Sequence, residues 1–252
     1  EKEIGITLLQ RTKHGVTLLP DGQELFPYIK NFTEAASALD AAIGKIRADD
    51  NKVIRIAAYS SIANHWIPVI ISEFRKENPN TKFELHVGLP EEITRLVTNS
   101  EVDLGFMSKK RDQKLDWIHL YDDPIFAVLP PDDTNGDDYI TMDFFQDKSF
   151  FIPTYGADDD IIRIIRDSGI EPKINSTTVD DATVVSIVSH CLGYSILPKL
   201  ILDGAKGNVI TKALVPHEHR DLGITVKSKD TMPLIVKRFI DCSKKIVKEF
   251  ED

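Results

Sequence analysis

The chain has 252 residues, of which 42% are hydrophobic and 28% charged, so it is long enough for one or two globular domains with real cores. Its formal net charge is −9, and the acidity lies after residue 48, where 25 basic residues face 34 acidic ones. This charge excludes a protein that binds nucleic acid over its general surface, and no apolar stretch reaches the roughly 18 residues of a membrane span.

Residues 1–19 predict the end of a helix followed by a hairpin. The helix end is Glu1–Ile4, and the hairpin turns at His14-Gly15, where glycine permits a positive φ. No acidic side chain lies between Ile4 and Pro20. Cations at such a turn predict contacts with DNA phosphate or a narrow minor groove, although a solvated loop would carry the same residues. The basic residues are Arg11, Lys13 and His14.

A long helix is predicted from Pro20 to Arg47, because proline suits a first helical turn, with a bend at Pro27. Its apolar residues recur at alternating spacings of four and three, the heptad period of a helix that pairs with a second helix. A helix packed on its own domain is the alternative. We predict a homodimer with the seam Leu25, Ile29, Phe32, Ala36, Leu39, Ile43 and Ile46.

From Lys52 onward, strands and helices alternate, which predicts an α/β protein with a mainly parallel sheet covered on both faces. The pattern is interrupted at Pro130–Asp138 and then repeats, which indicates two lobes. The predicted strands are Val53–Ala58, Phe83–Val87, Val102–Met107, Ile125–Leu129, Ser149–Ile152, Lys173–Thr177, Tyr194–Leu197 and Leu222–Val226. The predicted helices are Ala63–Lys76, Pro90–Thr98, Asp159–Asp167, Asp181–Cys191, Pro198–Asp203 and Pro233–Phe250.

A ligand of a two-lobed α/β protein binds between the lobes, outside the carboxyl ends of the strands. The first strand ends at Tyr59-Ser60-Ser61, where a helix begins. Its hydroxyls and free N–H groups can hold an anion or a carbonyl oxygen, while ordinary capping by Ser60 or Ser61 explains the same residues. The facing lobe presents Pro153-Thr154-Tyr155 after its first strand and Val179 before a helix.

Several tracts, taken together and in order, carry a family resemblance over essentially the whole chain. They are Glu1–Thr12, Gly15–Leu18, Pro20–Gly22, Ile54–Ala57, Phe74–Pro79, Asp103–Gly105 and Gly193–Pro198. In this order they resemble LysR-type transcriptional regulators. Leu9 stands where that family usually has Phe in the segment entering the wing, and Leu19 where it usually has a capping Thr.

The resemblance implies four parts. Residues 1–19 would be the remnant of a winged helix-turn-helix, and residues 20–51 the linker and dimerisation helix. Residues 52–129 with 228–252 would form effector-binding lobe I, and residues 130–227 lobe II, in a periplasmic-binding-protein-like fold. The missing part of the helix-turn-helix would precede Glu1.

The resemblance also implies a DNA-binding transcriptional regulator whose lobes bind a small-molecule effector. Its partners would be double-stranded DNA in the full-length protein and further copies of itself, as a dimer and a full-length tetramer. By family geometry Leu89 and Ser108 line the cleft. The run Lys109-Lys110-Arg111 at the rim of the cleft suits an anionic co-inducer. The alternative is an ordinary solvent-exposed run of charges with no role in binding. The predicted effector-binding residues are Ser60, Ser61, Leu89, Ser108, Pro153, Thr154, Tyr155 and Val179.

Enzyme chemistry finds no support in the sequence. There is no Gly-rich phosphate loop or nucleophile elbow, and His217-Glu218-His219 has no third ligand in view, so we predict no enzyme, metal or cofactor. An extracytoplasmic solute-binding protein shares the two-lobed fold but needs an export signal and has no use for a wing. A thiol-based redox sensor needs reactive cysteines, whereas Cys191 and Cys242 are predicted to be reduced, buried and helical. We therefore expect a cytoplasmic protein without membrane contact.

Overall fold

The computed structural model describes residues 5–13, 15–47, 53–110, 114–153, 158–175 and 180–250, with side chains left undescribed at 11, 12, 40–47 and 158. The chain divides into two compact units, residues 1–50 and 51–252, which are treated separately. Among the described residues, no helix is both long and apolar enough to cross a membrane.

The first unit is a hairpin followed by one long helix, as predicted. Strands β1 (Leu9–Thr12) and β2 (Gly15–Leu18) pair antiparallel, and helix α1 runs from Pro20 to Arg47. Gly22 is buried against the hairpin, and a Cβ there would lie 2.2 Å from the carbonyl oxygen of Leu8. Only glycine therefore fits this first turn without a shift of the backbone. The predicted helix Glu1–Ile4 and the linker residues 49–51 lie outside the described residues.

The second unit is built on a mixed sheet. Within the described residues its order is β10-β6-β11-β5-β3-β4, with β7 added beside β11. Strand β3 pairs parallel with β4 and β5, whereas β11 runs antiparallel to β5 and β6. The strands are β3 (Val53–Ala58), β4 (Lys82–Val87), β5 (Leu104–Ser108), β6 (Asp116–Leu129), β7 (Tyr139–Thr141), β8 (Ser149–Phe150), β9 (Lys173–Ile174), β10 (Ser195–Pro198) and β11 (Ile210–Val226).

The prediction of a mainly parallel sheet is wrong for its centre. Strands β6 and β11 have 14 and 17 residues and form a long antiparallel ladder, of which only the apolar ends Ile125–Leu129 and Leu222–Val226 were predicted. The remainder is rich in charged residues and histidine, because it lies on or near the protein surface. Charged residues are depleted in strands on average, so this part had no strand signature.

Six helices accompany the sheet in the described part of the second unit. They are α2 (Ser60–Glu77), α3 (Pro90–Thr98), α4 (Asp158–Ser168), α5 (Asp181–Ser189), α6 (Lys199–Leu202) and α7 (Leu234–Lys248), with a 3₁₀ turn at Met142–Phe145. The last helix, α7, packs on α2, where the rings of Phe74 and Phe239 meet edge to face with centroids 5.3 Å apart. Both aromatic side chains are buried, so the C-terminal helix belongs to the same core as the first α/β unit.

Two hydrophobic cores define the lobes. Lobe I draws its core from residues 54–120 and 222–247 with Leu200, and lobe II from residues 125–214. The chain thus changes lobe inside β6 and again inside β11, not after Leu129 and after Lys227 as the sequence indicated. Pro130–Asp138 has the composition of a boundary, but the residues directly before it, Ile125–Leu129, already belong to the core of lobe II. The change of lobe therefore lies between residues 120 and 125 and again between residues 214 and 222, instead of at the predicted limits 129/130 and 227/228.

Candidate functional site

A buried ion pair joins the strands at the point where they change lobe. Nη2 of Arg220 lies 2.8 Å from Oδ2 of Asp123, and neither side chain is exposed. Arg220 also donates to Ser61 Oγ at 3.2 Å, and Asp123 Oδ1 accepts from the backbone N–H of Leu200 at 3.1 Å. Burial raises the pKa of the Asp123 carboxyl, and Arg220 acts against that shift. The pair therefore ties the crossing strands to the first turns of α2 and α6.

Hydroxyls of lobe I face carboxylates of lobe II. Ser108 Oγ, at the end of β5, donates to Asp160 Oδ2 in the first turn of α4 at 2.8 Å. Ser60 Oγ, at the start of α2, lies 3.5 Å from Asp181 Oδ2 in the first turn of α5. Burial raises the pKa of Asp160, while the hydrogen bond from Ser108 lowers it. We call the surface between these opposed groups the cleft.

The larger cavity of the cleft has a volume of about 850 Å³. It lies between α3 and the end of β5 in lobe I and α4 in lobe II, and Tyr59 and Ser108 reach its wall. Burial raises the pKa of the Tyr59 hydroxyl, which therefore stays a neutral hydrogen-bonding group. Its lining is strongly charged, with five basic side chains and four carboxylates: Lys109, Lys110, Lys114, Arg163 and Arg166, and Asp159, Asp160, Glu218 and Asp221.

These cations already have anionic neighbours. Lys110 bonds to Glu91 and lies 3.9 Å from Asp159 of the other lobe. Arg163 pairs with Glu218 at 3.2 Å. A ligand carrying negative charge would therefore have to exchange with ion pairs that connect one lobe to the other or to the crossing strands.

A second cavity of about 200 Å³ lies beside the first turn of α2. Ser60 and Ser61 line one wall, and Asp180 and Asp181 at the start of α5 line the other. Asp180 caps its own helix by accepting from the N–H of Thr183 at 2.7 Å. The alternative of capping by Ser60 or Ser61 is wrong, because Tyr59 is the N-cap residue of α2 and no side chain caps that helix.

The predicted effector residues fall into three groups. Ser60 and Ser61 line the smaller cavity and Ser108 the larger one. Leu89 precedes α3 and is half-buried, and Pro153 follows β8 and is buried, but neither lines these two cavities. The remaining predicted residues, Thr154, Tyr155 and Val179, lie outside the described residues.

The charged partners of these hydroxyls were not predictable from the sequence pattern. Asp123 and Arg220 are charged residues inside strands, opposite each other in register, and nearly 100 positions apart in the chain. Asp160 falls in the first turn of the predicted helix Asp159–Asp167, where an acidic residue is ordinary. Asp123 follows Asp122, and Arg220 stands between His219 and Asp221, so no local pattern marks either charge as buried.

The exposed elements of the first unit carry the other predicted contacts. Lys13 is exposed at the hairpin turn, while His14 and the side chain of Arg11 lie outside the described residues. On α1 the seam residues Ile29, Phe32 and Leu39 are 48%, 75% and 61% exposed. Leu25 is half-buried and Ala36 exposed, and the side chains of Ile43 and Ile46 are not described. An apolar stripe this exposed indicates a helix that lacks its packing partner within the first unit.

The cysteines differ from the prediction in one respect. Cys191 is exposed and follows the end of α5 with φ of 58°, so it is neither buried nor helical, whereas Cys242 is half-buried in α7. A hydrogen bond to Asp132 raises the pKa of the Cys191 thiol, and burial raises that of Cys242. Both thiols are therefore less ionised than a free cysteine at neutral pH.

The chain matches the family model described as LysR substrate binding domain over residues 47–247. It belongs to the LysR family. This LysR-family chain is 23% identical over 250 residues to the uncharacterized HTH-type transcriptional regulator YvbU of Bacillus subtilis, covering 98% of this chain and 85% of that protein. The predicted LysR-type transcriptional regulator with an effector-binding domain is thereby confirmed.

Solved structures of LysR regulators share the fold. The regulatory domain of CcmR from Synechocystis PCC6803, in complex with 2-PG, has a TM-score of 0.70 at 18% identity and covers 78% of this chain and 98% of that one. Full-length CbnR complexed with its target DNA has a TM-score of 0.66 at 14% identity, covering 98% and 86%. The two-lobed effector-domain architecture is thus confirmed.

Proposed function

We propose that this LysR regulator binds its effector in the cleft and that the effector acts by replacing contacts between the lobes. The observation that carries this proposal is the pair of opposed contacts between the lobes, Ser108–Asp160 at the larger cavity and Ser60–Asp181 at the smaller one. A molecule bound there competes with these contacts for the same hydroxyls. Because it binds one lobe arrangement better than another, it shifts the equilibrium between them.

The effector we propose is a small organic anion. Five basic side chains border the larger cavity, and hydroxyls of Tyr59 and Ser108 supply neutral hydrogen bonds inside it. An anionic group that takes Lys110 from Asp159 loosens an ion pair between the lobes, and one that takes Arg163 from Glu218 loosens a pair between lobe II and the crossing strand β11. CcmR, which has the same fold, holds 2-PG in its regulatory domain, which supports a small ligand of this kind.

The domain assignment is part of this proposal. Residues 1–19 are the wing end of the DNA-binding module, with Arg11, Lys13 and His14 against DNA, and residues 20–51 form the dimerising linker. The exposed apolar seam of α1 supports the dimer, since a second copy of the same helix would bury it. The lobes follow the two cores. The protein works in the cytoplasm as a regulator and not as an enzyme.

The test is a thermal-shift screen of this chain against small organic acids, followed by calorimetric titration of the best one. We expect the ligand to raise the melting temperature of the wild type, and Lys110→Gln to weaken its binding. Lys82→Gln is the matched control, because Lys82 is an exposed strand residue outside both cavities. Equal affinity in Lys110→Gln, Arg163→Gln and wild type would contradict the proposed site.

The thiol-based sensor is the rival within the same family. The raised pKa values of Cys191 and Cys242 do not favour it, because the thiolate is the reactive form. Titration of the native protein with a thiol reagent distinguishes the two. Reaction slower than that of free cysteine supports the ligand-controlled regulator, and rapid loss of both thiols supports the sensor.

A further inference from the structure

Four side chains that can bind metals, two histidines and two aspartates, meet on the exposed side of β6 and β11, where these strands change lobe. The ligand atoms of His119, Asp122 and Asp221 all lie within 4.8 Å of one another. Nδ1 of His119 is 2.7 Å from Oδ1 of Asp221, and Nε2 of His219 is 3.7 Å from Oδ1 of Asp122. All four side chains are at least partly exposed, so an ion from solvent reaches them.

The strand register explains why the four side chains share one face. Asp221 pairs directly with Asp122, and His219 pairs with Pro124, two residues further along β6. His119 would point to the opposite face in a regular strand. A bulge between Leu222 and Gly223 shifts the register and returns His119 to the side of the carboxylates. Bulges that redirect a side chain are frequent beside functional sites.

The charge pattern favours a cation between the two strands. Like charges directly opposite each other destabilise an antiparallel pair, and here two aspartates occupy such positions. Lys109 Nζ stands 3.8 Å from Asp221 and offsets part of this repulsion. A divalent ion held by both carboxylates would remove the rest.

We propose that His119, Asp122 and Asp221, with His219 as fourth ligand, bind a divalent transition metal of the Zn²⁺ class. Imidazole combined with carboxylate selects such ions, whereas Mg²⁺ and Ca²⁺ prefer oxygen ligands alone. With bonds of about 2.0–2.2 Å, tetrahedral ligand atoms lie about 3.3–3.6 Å apart. The most distant of the three ligand atoms must therefore approach by about 1 Å, and the His119–Asp221 pair must open by slightly less, which exposed side chains achieve by small rotations. The ion links β6 to β11 at the crossing between the lobes and so stiffens it.

This inference goes beyond the proposed function, in which no metal takes part. The sequence did not predict this site because the tract His217-Glu218-His219 has no further metal ligand near it in the sequence. Glu218 is engaged by Arg163 instead. The partners His119 and Asp122 lie about a hundred positions earlier and join His219 and Asp221 only through strand pairing.

The test is calorimetric titration of this chain with ZnCl₂, using MgCl₂ as the reference ion. We expect saturable binding of one Zn²⁺ per chain and no comparable binding of Mg²⁺. His119→Ala should weaken Zn²⁺ binding at least about tenfold. His86→Ala is the matched control, because His86 forms a similar pair with Glu92 at 2.9 Å but belongs to no group of three such ligands in the described part of the chain.

A second variant separates metal binding from an ordinary surface ion pair. Lys109→Gln removes a cation that competes for Asp221 and should strengthen Zn²⁺ binding. Asp122→Asn should weaken it, and with EDTA both variants should melt close to the wild type. The proposal is overturned if the wild type shows no saturable Zn²⁺ binding, or if His119→Ala and His86→Ala bind Zn²⁺ equally.

Discussion

Removing the guanidinium of Arg220 is expected to destabilise the two-lobed unit strongly. Arg220 reaches Asp123 through Nη2 at 2.8 Å and through Nε at 2.9 Å, and both side chains are fully buried. Arg220→Met retains an apolar stem and leaves the Asp123 carboxylate without its counter-charge. Breaking one side of a buried pair costs about 3–5 kcal/mol, because an uncompensated charge remains inside the protein.

The assay is thermal unfolding at pH 8 followed by circular dichroism. For a unit spanning residues 51–252, each kcal/mol lowers the melting temperature by about 2–4 °C. The structure therefore predicts that Arg220→Met melts about 6–20 °C below the wild type. The control is Arg95→Met, whose pair with Glu101 is 53% and 46% exposed and is worth at most about 1 kcal/mol.

The pH dependence of the stability loss tests whether the unpaired Asp123 carboxylate causes it. Without Arg220 the pKa of Asp123, already raised by burial, rises further above its unfolded value of about 3.9. Between a pH of about 3.9 and the raised pKa, folded Arg220→Met binds more protons than the unfolded chain does, so its stability falls as the pH rises through this range. The deficit of Arg220→Met should be smaller at pH 5 than at pH 8. Adding Asp123→Asn, which keeps an acceptor for Leu200, should recover about 1–3 kcal/mol. A deficit no larger than that of Arg95→Met, or one independent of pH, would refute the reasoning.

Three further predictions concern other parts of the chain. Leu39→Asp places a charge in the exposed seam of α1, so sedimentation should detect monomers, whereas Ser37→Asp on the opposite face should leave the dimer intact. In the full-length protein, Lys13→Glu should weaken binding to all DNA sequences and lower the salt slope by about one; an unchanged slope would remove the wing from the interface. Asp160→Asn keeps an acceptor for Ser108 but cannot ionise, so it should lose less stability than the wild type as pH rises from about 4, because burial raises the pKa of Asp160. Identical denaturation midpoints for both proteins at every pH would contradict a buried, titrating Asp160.

Much of the fold was predictable because its signals are local. The hairpin turn, the proline at the start of α1 and the strand–helix alternation from Val53 all lie within short windows of sequence. The central ladder was not predictable, since half of β6 and β11 is polar and gains its stability from the facing strand. Pairing across 100 residues leaves no periodic trace in either segment.

In the candidate site, too, residues marked by local sequence were predictable and residues brought together by the tertiary fold were not. Ser60 and Ser61 were predictable because they follow the end of a strand, where α/β folds place ligands, and Ser108 because the family resemblance implies that it lines the cleft. Their partners Asp160 and Asp181 come from helices of the other lobe, and only the docking of the lobes brings them together. The hydroxyls were therefore predicted without the carboxylates that face them across the cleft.

The interrupted first core has a consequence for synthesis of the chain. Lobe II is complete once residue 214 has left the ribosome, whereas lobe I still waits for residues 222–247. Until then β5 lacks its neighbour β11, and Phe74 lacks Phe239. Nascent chains should thus carry a folded lobe II beside an incomplete lobe I. The exposed apolar surface and unpaired strand edge of lobe I would make this state prone to aggregation and a target for chaperones. A premature stop before α7 would leave that state permanent, although all the residues that line the two cavities, the last of them Asp221, would already be present.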